Sequence, residues 1–205
     1  MNTSKLLIAL LLISSSVFAE DGKFYIGASG GRADIETGVS GTTGTANLDE
    51  DDTGWKVYAG YKWENNFGIE LNYADFGEAS LSGNNTDTFV YKGTTYTFTA
   101  NGVNIDLEGT TFGLGLTYSL PVIEDTFYID AKVGAHTWDA EMTISADAAG
   151  SVSLSDDGTD PFYGLGLTYQ ITKEFGARVE FERYEFDEED VDYTSAGLTF
   201  SFLST

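Results

Sequence analysis

Phe112-Gly-Leu-Gly-Leu-Thr-Tyr118 recurs almost unchanged as Tyr163-Gly-Leu-Gly-Leu-Thr-Tyr169, and Ala196-Gly-Leu-Thr-Phe-Ser-Phe202 is a third version of the same stretch. Each alternates with a period of two, the signature of a β-strand, with aromatic and aliphatic residues on one face and Gly, Thr or Ser on the other. Alternation alone does not say which face is inside. Elsewhere in the chain the small, polar face also carries charges, so it reads as the interior, and the apolar face then turns to lipid. A strand that is greasy outside and polar inside is the pattern of a transmembrane β-barrel.

Eight such segments are predicted, at about 23–31, 55–63, 67–75, 110–120, 126–138, 162–171, 175–185 and 193–202. Pro121 and Pro161 fall at segment ends, where a missing donor does little harm. Connections alternate between short turns (Glu64-Asn65-Asn66, Pro121 to Asp125, Thr172-Lys173-Glu174) and four long or acidic ones. Within the second long one, Thr88–Tyr91 and Thr94–Thr99 flank Lys92-Gly93 and predict a hairpin. An even number of antiparallel strands with short turns at one end and long loops at the other is the outer-membrane plan.

Face assignment is consistent along the chain. Outward fall Phe24, Ile26, Trp55, Val57, Tyr61, Phe67, Leu71, Leu114, Leu116, Leu165, Leu167, Val179, Phe181, Phe200 and Phe202. Inward fall the bases Lys56, Lys62, Lys132 and Arg178 and the acids Glu70, Asp130, Glu180 and Glu182, together with Tyr25, Tyr58, Asn72 and His136. Equal numbers of the two signs let a narrow interior neutralise itself, where an unpaired charge is costly. A soluble sandwich or lipocalin-like barrel needs the charges outside instead, yet Arg183 is nearly the only charge on the apolar face.

Residues 1–19 read as a secretory signal: Lys5, the apolar run Leu6 to Ile13, and a small-residue cleavage site at Val17-Phe-Ala19. Residues 20–205 are then one barrel domain. No later run of ~20 apolar residues predicts a spanning helix. The chain has no cysteine, which excludes disulfides and thiolate metal sites. Of its 33 acids, 23 fall in residues 32–53, 75–110, 139–160 and 185–192, against only Arg32 and Lys92 among the bases, so these stretches read as solvated surface loops. A net charge of -23 argues against nucleic acid as a partner.

At this point the chain resembles the eight-stranded OmpA-type and OmpX-type outer-membrane β-barrel family. The resemblance rests on Phe24-Tyr-Ile-Gly-Ala28, Gly60-Tyr61 with Gly68-Ile-Glu70-Leu-Asn-Tyr73, Leu120-Pro121 with Tyr128-Ile-Asp-Ala-Lys-Val-Gly134, and Gly176-Ala-Arg178-Val-Glu180-Phe181. It implies an all-β, eight-stranded antiparallel up-and-down barrel in the Gram-negative outer membrane, with loops outside and both termini in the periplasm. It further implies outer-membrane lipid and lipopolysaccharide as surroundings, and an interior ionic network: Glu70 and Arg178 with Lys132 and Glu180 close by, to which the inward alternation adds Asp130. The end of the chain looks like the signal read by the barrel-assembly machinery, carried by Gly197, Phe200 and Phe202. Two departures stand out. Leu203-Ser-Thr205 follows the final aromatic, and the family's periplasmic peptidoglycan-binding domain is not expected.

Three chemical motifs have plainer readings. His136 is the only histidine, and the alternation puts it in the lumen, away from any lipid substrate of a lipid A-modifying enzyme. Gly113-Leu-Gly115 and Gly164-Leu-Gly166 lie inside strands with no helix to follow, which removes a phosphate-loop reading. The runs Asp49-Glu50-Asp51-Asp52 and Asp187-Glu188-Glu189-Asp190 could associate with divalent cations, though neither has the spacing of a calcium loop. The expectation is a protein with no cofactor and no catalytic site. Either its surface loops meet an extracellular ligand or stabilise the envelope, or its side-chain-filled lumen forms a small, low-conductance pore.

Overall fold

The repeated alternation is realised as long antiparallel strands closed into a ring. The computed structural model describes residues 22–147, 150–187 and 189–203; the segment read as a secretory signal, Glu188 and Ser204-Thr205 lie outside them. The described residues form twelve strands: β1 (Gly22–Ile35), β2 (Val39–Thr42), β3 (Asn47–Asp49), β4 (Asp51–Trp63), β5 (Phe67–Gly83), β6 (Thr88–Tyr91), β7 (Thr94–Thr97), β8 (Val103–Ile123), β9 (Phe127–Ala146), β10 (Gly150–Gln170), β11 (Phe175–Phe186) and β12 (Glu189–Leu203). Pairing runs β5-β4-β1-β12-β11-β10-β9-β8 and returns to β5, an eight-stranded closed barrel with no free edge at its waist.

The barrel exposes the predicted apolar face. Leu114, Leu116, Leu165, Leu167, Val133 and Val179 all stand exposed on the wall. From Phe112 to Val122 the strand rises roughly 33 Å, or about 25 Å across a wall tilted about 40°, which matches the height of an outer-membrane apolar band. Aromatic side chains border this band. Trp55 and Tyr73 meet at 5.5 Å near the long-loop end, while Phe67–Tyr118 (4.8 Å) and Phe175–Phe200 (4.9 Å) lie near the short turns. Tyr61 is placed outward by its parity but is covered, because the rings of Phe24 (4.8 Å) and Trp63 (5.5 Å) close over it.

At the long-loop end the strands run further than the sequence predicts. Residues 139–146 and 150–160, read as a loop, are instead the upper halves of β9 and β10, paired from Asp139↔Asp157 to Ala146↔Gly150. Pro161 therefore lies within β10, at the level where pairing with β11 begins at Phe162; below that number β10 is a free edge on this side, where proline is tolerated. Residues 32–53 hold two short strands: β3 pairs with the upper part of β5, and β2 joins the β6–β7 hairpin in a separate three-stranded sheet. The reason is physical. Above the membrane a strand needs no greasy outer face, so runs such as Ser151-Val-Ser-Leu-Ser155 keep a two-residue alternation but lack the aromatic and aliphatic density that marks the spanning part.

A bulge changes the phase of β5. Its even-numbered residues face inward as far as Phe76, its odd ones from Ala79 onward, and the pairing to β8 slips between Asp75↔Thr110 and Glu78↔Glu108. Gly77 takes the left-handed conformation (φ 75°) that the kink requires, and its N–H donates to Asp75 Oδ1 at 3.0 Å.

Candidate functional site

Inward alternation on β4, β5, β9 and β11 delivers six charged side chains to one level of the lumen. Glu70 (β5) accepts from Arg178 (β11) at 2.8 Å and meets Lys132 (β9) through its other oxygen. Arg178 reaches Glu180 at 2.7 Å with its second terminal nitrogen. Lys132 also meets Glu180 at 3.1 Å and Glu182 at 2.8 Å. Lys56 (β4) completes the set, at 2.7 Å from Glu180 and in contact with Glu182. Tyr25 donates to Glu70 at 3.0 Å and Tyr184 to Glu182 at 3.3 Å. Three bases thus face three acids, all buried, so the charge that costs most to desolvate is balanced on the spot.

The network differs in membership from the one expected. Glu70, Lys132, Arg178 and Glu180 are brought together, whereas Asp130 accepts a hydrogen bond from Thr168 Oγ1 at 2.6 Å and joins no ion pair among the described residues. Lys56 and Glu182 take part instead. Their parity marks them as inward in the sequence, but parity fixes a face and not a height, so it could not tell which charges share a level. Lys62, nearer the short turns, lies over the Tyr128 ring at 4.3 Å.

The paired glycines make the space. Gly115 faces Lys132 and Phe162, and a methyl group there would come within 3.2 Å and 3.0 Å of them; at Gly164 it would stand 2.6 Å from Glu182 Cγ. On the long-loop side of the ions the lumen turns apolar. Ala33, Ala74, Phe76, Phe162, Tyr184 and Tyr193 are each 0% exposed and form one cluster. His136 sits among them. Its Nε2 donates to the Glu185 carbonyl (2.9 Å), and Nδ1 meets the Thr111 hydroxyl (2.6 Å), an arrangement that serves a neutral ring with both nitrogens used. Both His136 and Thr111 are buried inside the lumen, away from the outer wall.

Above that cluster the upper wall surrounds a partly open cavity of about 690 Å³, lined largely by apolar residues that include Leu107, Trp138 and Phe186. Among the described residues the acidic runs point to separate partners. Asp51 pairs with Arg32 (2.9 Å), Glu50 accepts from the Thr37 hydroxyl (2.6 Å) and Asp52 from the Glu78 N–H (3.0 Å); Asp49 pairs with Ser80 in the β3–β5 ladder. Glu189 holds Lys92 (3.0 Å), and Asp190 meets Arg183 (3.4 Å), which also binds Asp192. Among the described residues no group of His, Asp or Glu side chains converges as metal ligands.

At the closing strand, Phe200 packs on Phe175 and Phe202 lies 6.1 Å from Phe24 across the β1–β12 seam. A Cβ at Gly197 would stand 2.2 Å from the Ala28 carbonyl oxygen, so the seam closes only over a glycine.

A closed eight-stranded ring with an apolar outer belt and a self-neutralising lumen defines an integral outer-membrane β-barrel. The chain belongs to the outer membrane protein beta-barrel domain family, whose model matches residues 6–202. It is 25% identical over 187 residues to outer membrane protein A of Salmonella typhi and, equally, to that of Shigella flexneri, covering 89% of this chain and 48% of those proteins. The chain thus spans about half the length of the curated relatives it matches. In fold it is similar to Ail of Yersinia pestis, solved with the heparin analogue sucrose octasulfate (TM-score 0.56, 16% identity, 89% of this chain and 99% of that one). It is also similar to OprG of Pseudomonas aeruginosa (TM-score 0.52, 16% identity, 89% and 97%).

Proposed function

We infer that this is a non-enzymatic surface protein of the outer membrane, with its long-loop end turned to the exterior, and that it acts by binding through the acidic wall that rises there. The observation that carries this reading is the blocked lumen: an ion-paired layer is capped by a layer of aromatic side chains, which leaves the upper wall as the part available for recognition. That wall is strongly negative. Glu78, Glu108 and Glu141 stand side by side on β5, β8 and β9, and like charges in register persist at a cost unless something else needs them. Ail, of the same fold, was crystallised with a sulfated polyanion; the acids here favour a partner of opposite sign, a basic polypeptide or basic surface.

The test compares cells displaying the whole barrel with cells whose residues 141–154 are replaced by a tight turn. Whole-barrel cells should adhere to polylysine-coated but not heparin-coated surfaces, and adhesion should fall steeply with salt, since exposed charges are screened over about 8 Å at physiological ionic strength. Equal adhesion by the shortened barrel would refute the reading. Steady single-channel conductance by the purified protein would favour a small pore instead.

A further inference from the structure

We propose that the cavity at the long-loop end is a binding chamber for a small cationic amphiphile, a molecule with an apolar body and a positively charged head. The proposal stands apart from the adhesion reading, since it concerns the inside of the wall.

The chamber is built by the phase change in β5. Below the bulge the lumen receives Glu70 and Asn72; above it, Ala79 and Leu81 turn inward and meet Leu107 and Met142 from β8 and β9. Leu48 of β3, paired beside Leu81, and Phe89 of the β6–β7 hairpin extend this lining. A volume of about 690 Å³ with this lining lies within the range of small-molecule sites. Its floor is Phe76, whose ring packs on Tyr184 at 5.0 Å and Tyr193 at 5.6 Å, with the ion-paired layer beyond. The chamber therefore ends blind: it can hold a molecule but has no open route to pass one through.

The lining suits an apolar body. Met142 is adaptable in shape, and Phe89, Trp138 and Phe186 offer ring faces that attract a cation. Its charged members select the head group. Glu108, Asp156, Asp187, Glu189 and Asp190 line the chamber against a single lining base, Lys92, which Glu189 already engages, while Asp190 is held by Arg183. Asp156 and Asp187 are exposed. An anionic head would meet repulsion here and a cationic one attraction.

The test uses the full barrel in phosphatidylcholine nanodiscs with Trp55→Phe and Trp63→Phe, so that Trp138 alone reports. Dodecyltrimethylammonium, dodecyl maltoside and dodecyl sulfate share a chain and differ in charge, and empty nanodiscs correct for partition into lipid. The cation should give a saturable change in Trp138 emission, with the neutral compound about tenfold weaker and the anion without effect. Ala140→Phe, which fills the chamber, should abolish the response. Asp156→Asn with Asp187→Asn should weaken the cation several-fold while leaving the neutral compound unchanged. Leu154→Phe replaces Ala140→Phe if the latter fails to show heat-modifiable mobility. An unsaturable response, equal binding of the three head groups, or full binding by the folded chamber-filling variant would overturn the proposal.

Discussion

Arg178 on β11 and Glu70 on β5 are 108 positions apart in the chain and meet across the lumen at 2.8 Å. Only closure of the barrel brings them together. Each also has a second partner of opposite charge, Glu180 for Arg178 and Lys132 for Glu70, so the pair is one link in a six-membered set.

That arrangement predicts strong non-additivity. Glu70→Ala leaves three bases against two acids in a water-poor interior, and Arg178→Ala leaves the reverse; each should cost roughly 3–5 kcal/mol. The double mutant leaves Lys56 and Lys132 against Glu180 and Glu182, again balanced, and should cost much less than the sum of the single changes. Urea unfolding in lipid measures all three. Additive losses would show that the two side chains do not act as partners.

The membrane-spanning part of this design was legible in the sequence, and the part above it was not. Lipid permits only one kind of outer face, so Leu114, Leu116, Leu165 and Leu167 declared themselves and fixed the inward phase of their neighbours. Water permits almost any outer face. The upper halves of β9 and β10 therefore looked like loop, and the slip at Gly77 left no trace that alternation could detect. Membership of the ion set was half legible for a related reason: strand phase named eight inward charges, and relative strand height, which depends on register, selected six of them.

The upper wall should be sensitive to pH. Partial desolvation and the nearby carboxylates of Asp106 and Glu108 push the Glu78 carboxyl above its usual range. An acid raised in this way holds its proton more readily in the folded state, so its contribution favours the fold at low pH and fades as pH rises through the raised value. Amide protection factors at Ala79 and Leu81 should thus fall between mildly acidic and neutral pH. Glu78→Gln should remove that fall. An unchanged pH profile in the variant would assign the effect to another group.

Assembly should depend on the seam. Phe202 lies against Phe24 on the apolar face of the closing strand, so Phe202→Ala should lower the yield of heat-modifiable barrel in cells, whereas Val152→Ala, exposed on the upper wall, should not. Equal yields would separate the C-terminal aromatics from recognition by the assembly machinery.

Orientation can be read by labelling. Ser155 is exposed on the upper part of β10 and Asn65 in the first short turn. With the long-loop end outside, Ser155→Cys should react with an impermeant maleimide on intact cells and Asn65→Cys only after lysis. The opposite pattern would invert the barrel in the membrane.

The bulge at Gly77 acts on β5 as a frameshift acts on a message. One surplus residue, with no counterpart on β8, exchanges every later position between the two sides of the wall. Deleting Gly77 would leave the composition of the strand nearly untouched and yet turn Ala79 and Leu81 out to water while drawing Ser80 and Ser82 in. Grafts and insertions into this end of the protein should therefore be designed in steps of two beyond that glycine, and the chamber's lining can be inverted or restored by counting residues alone.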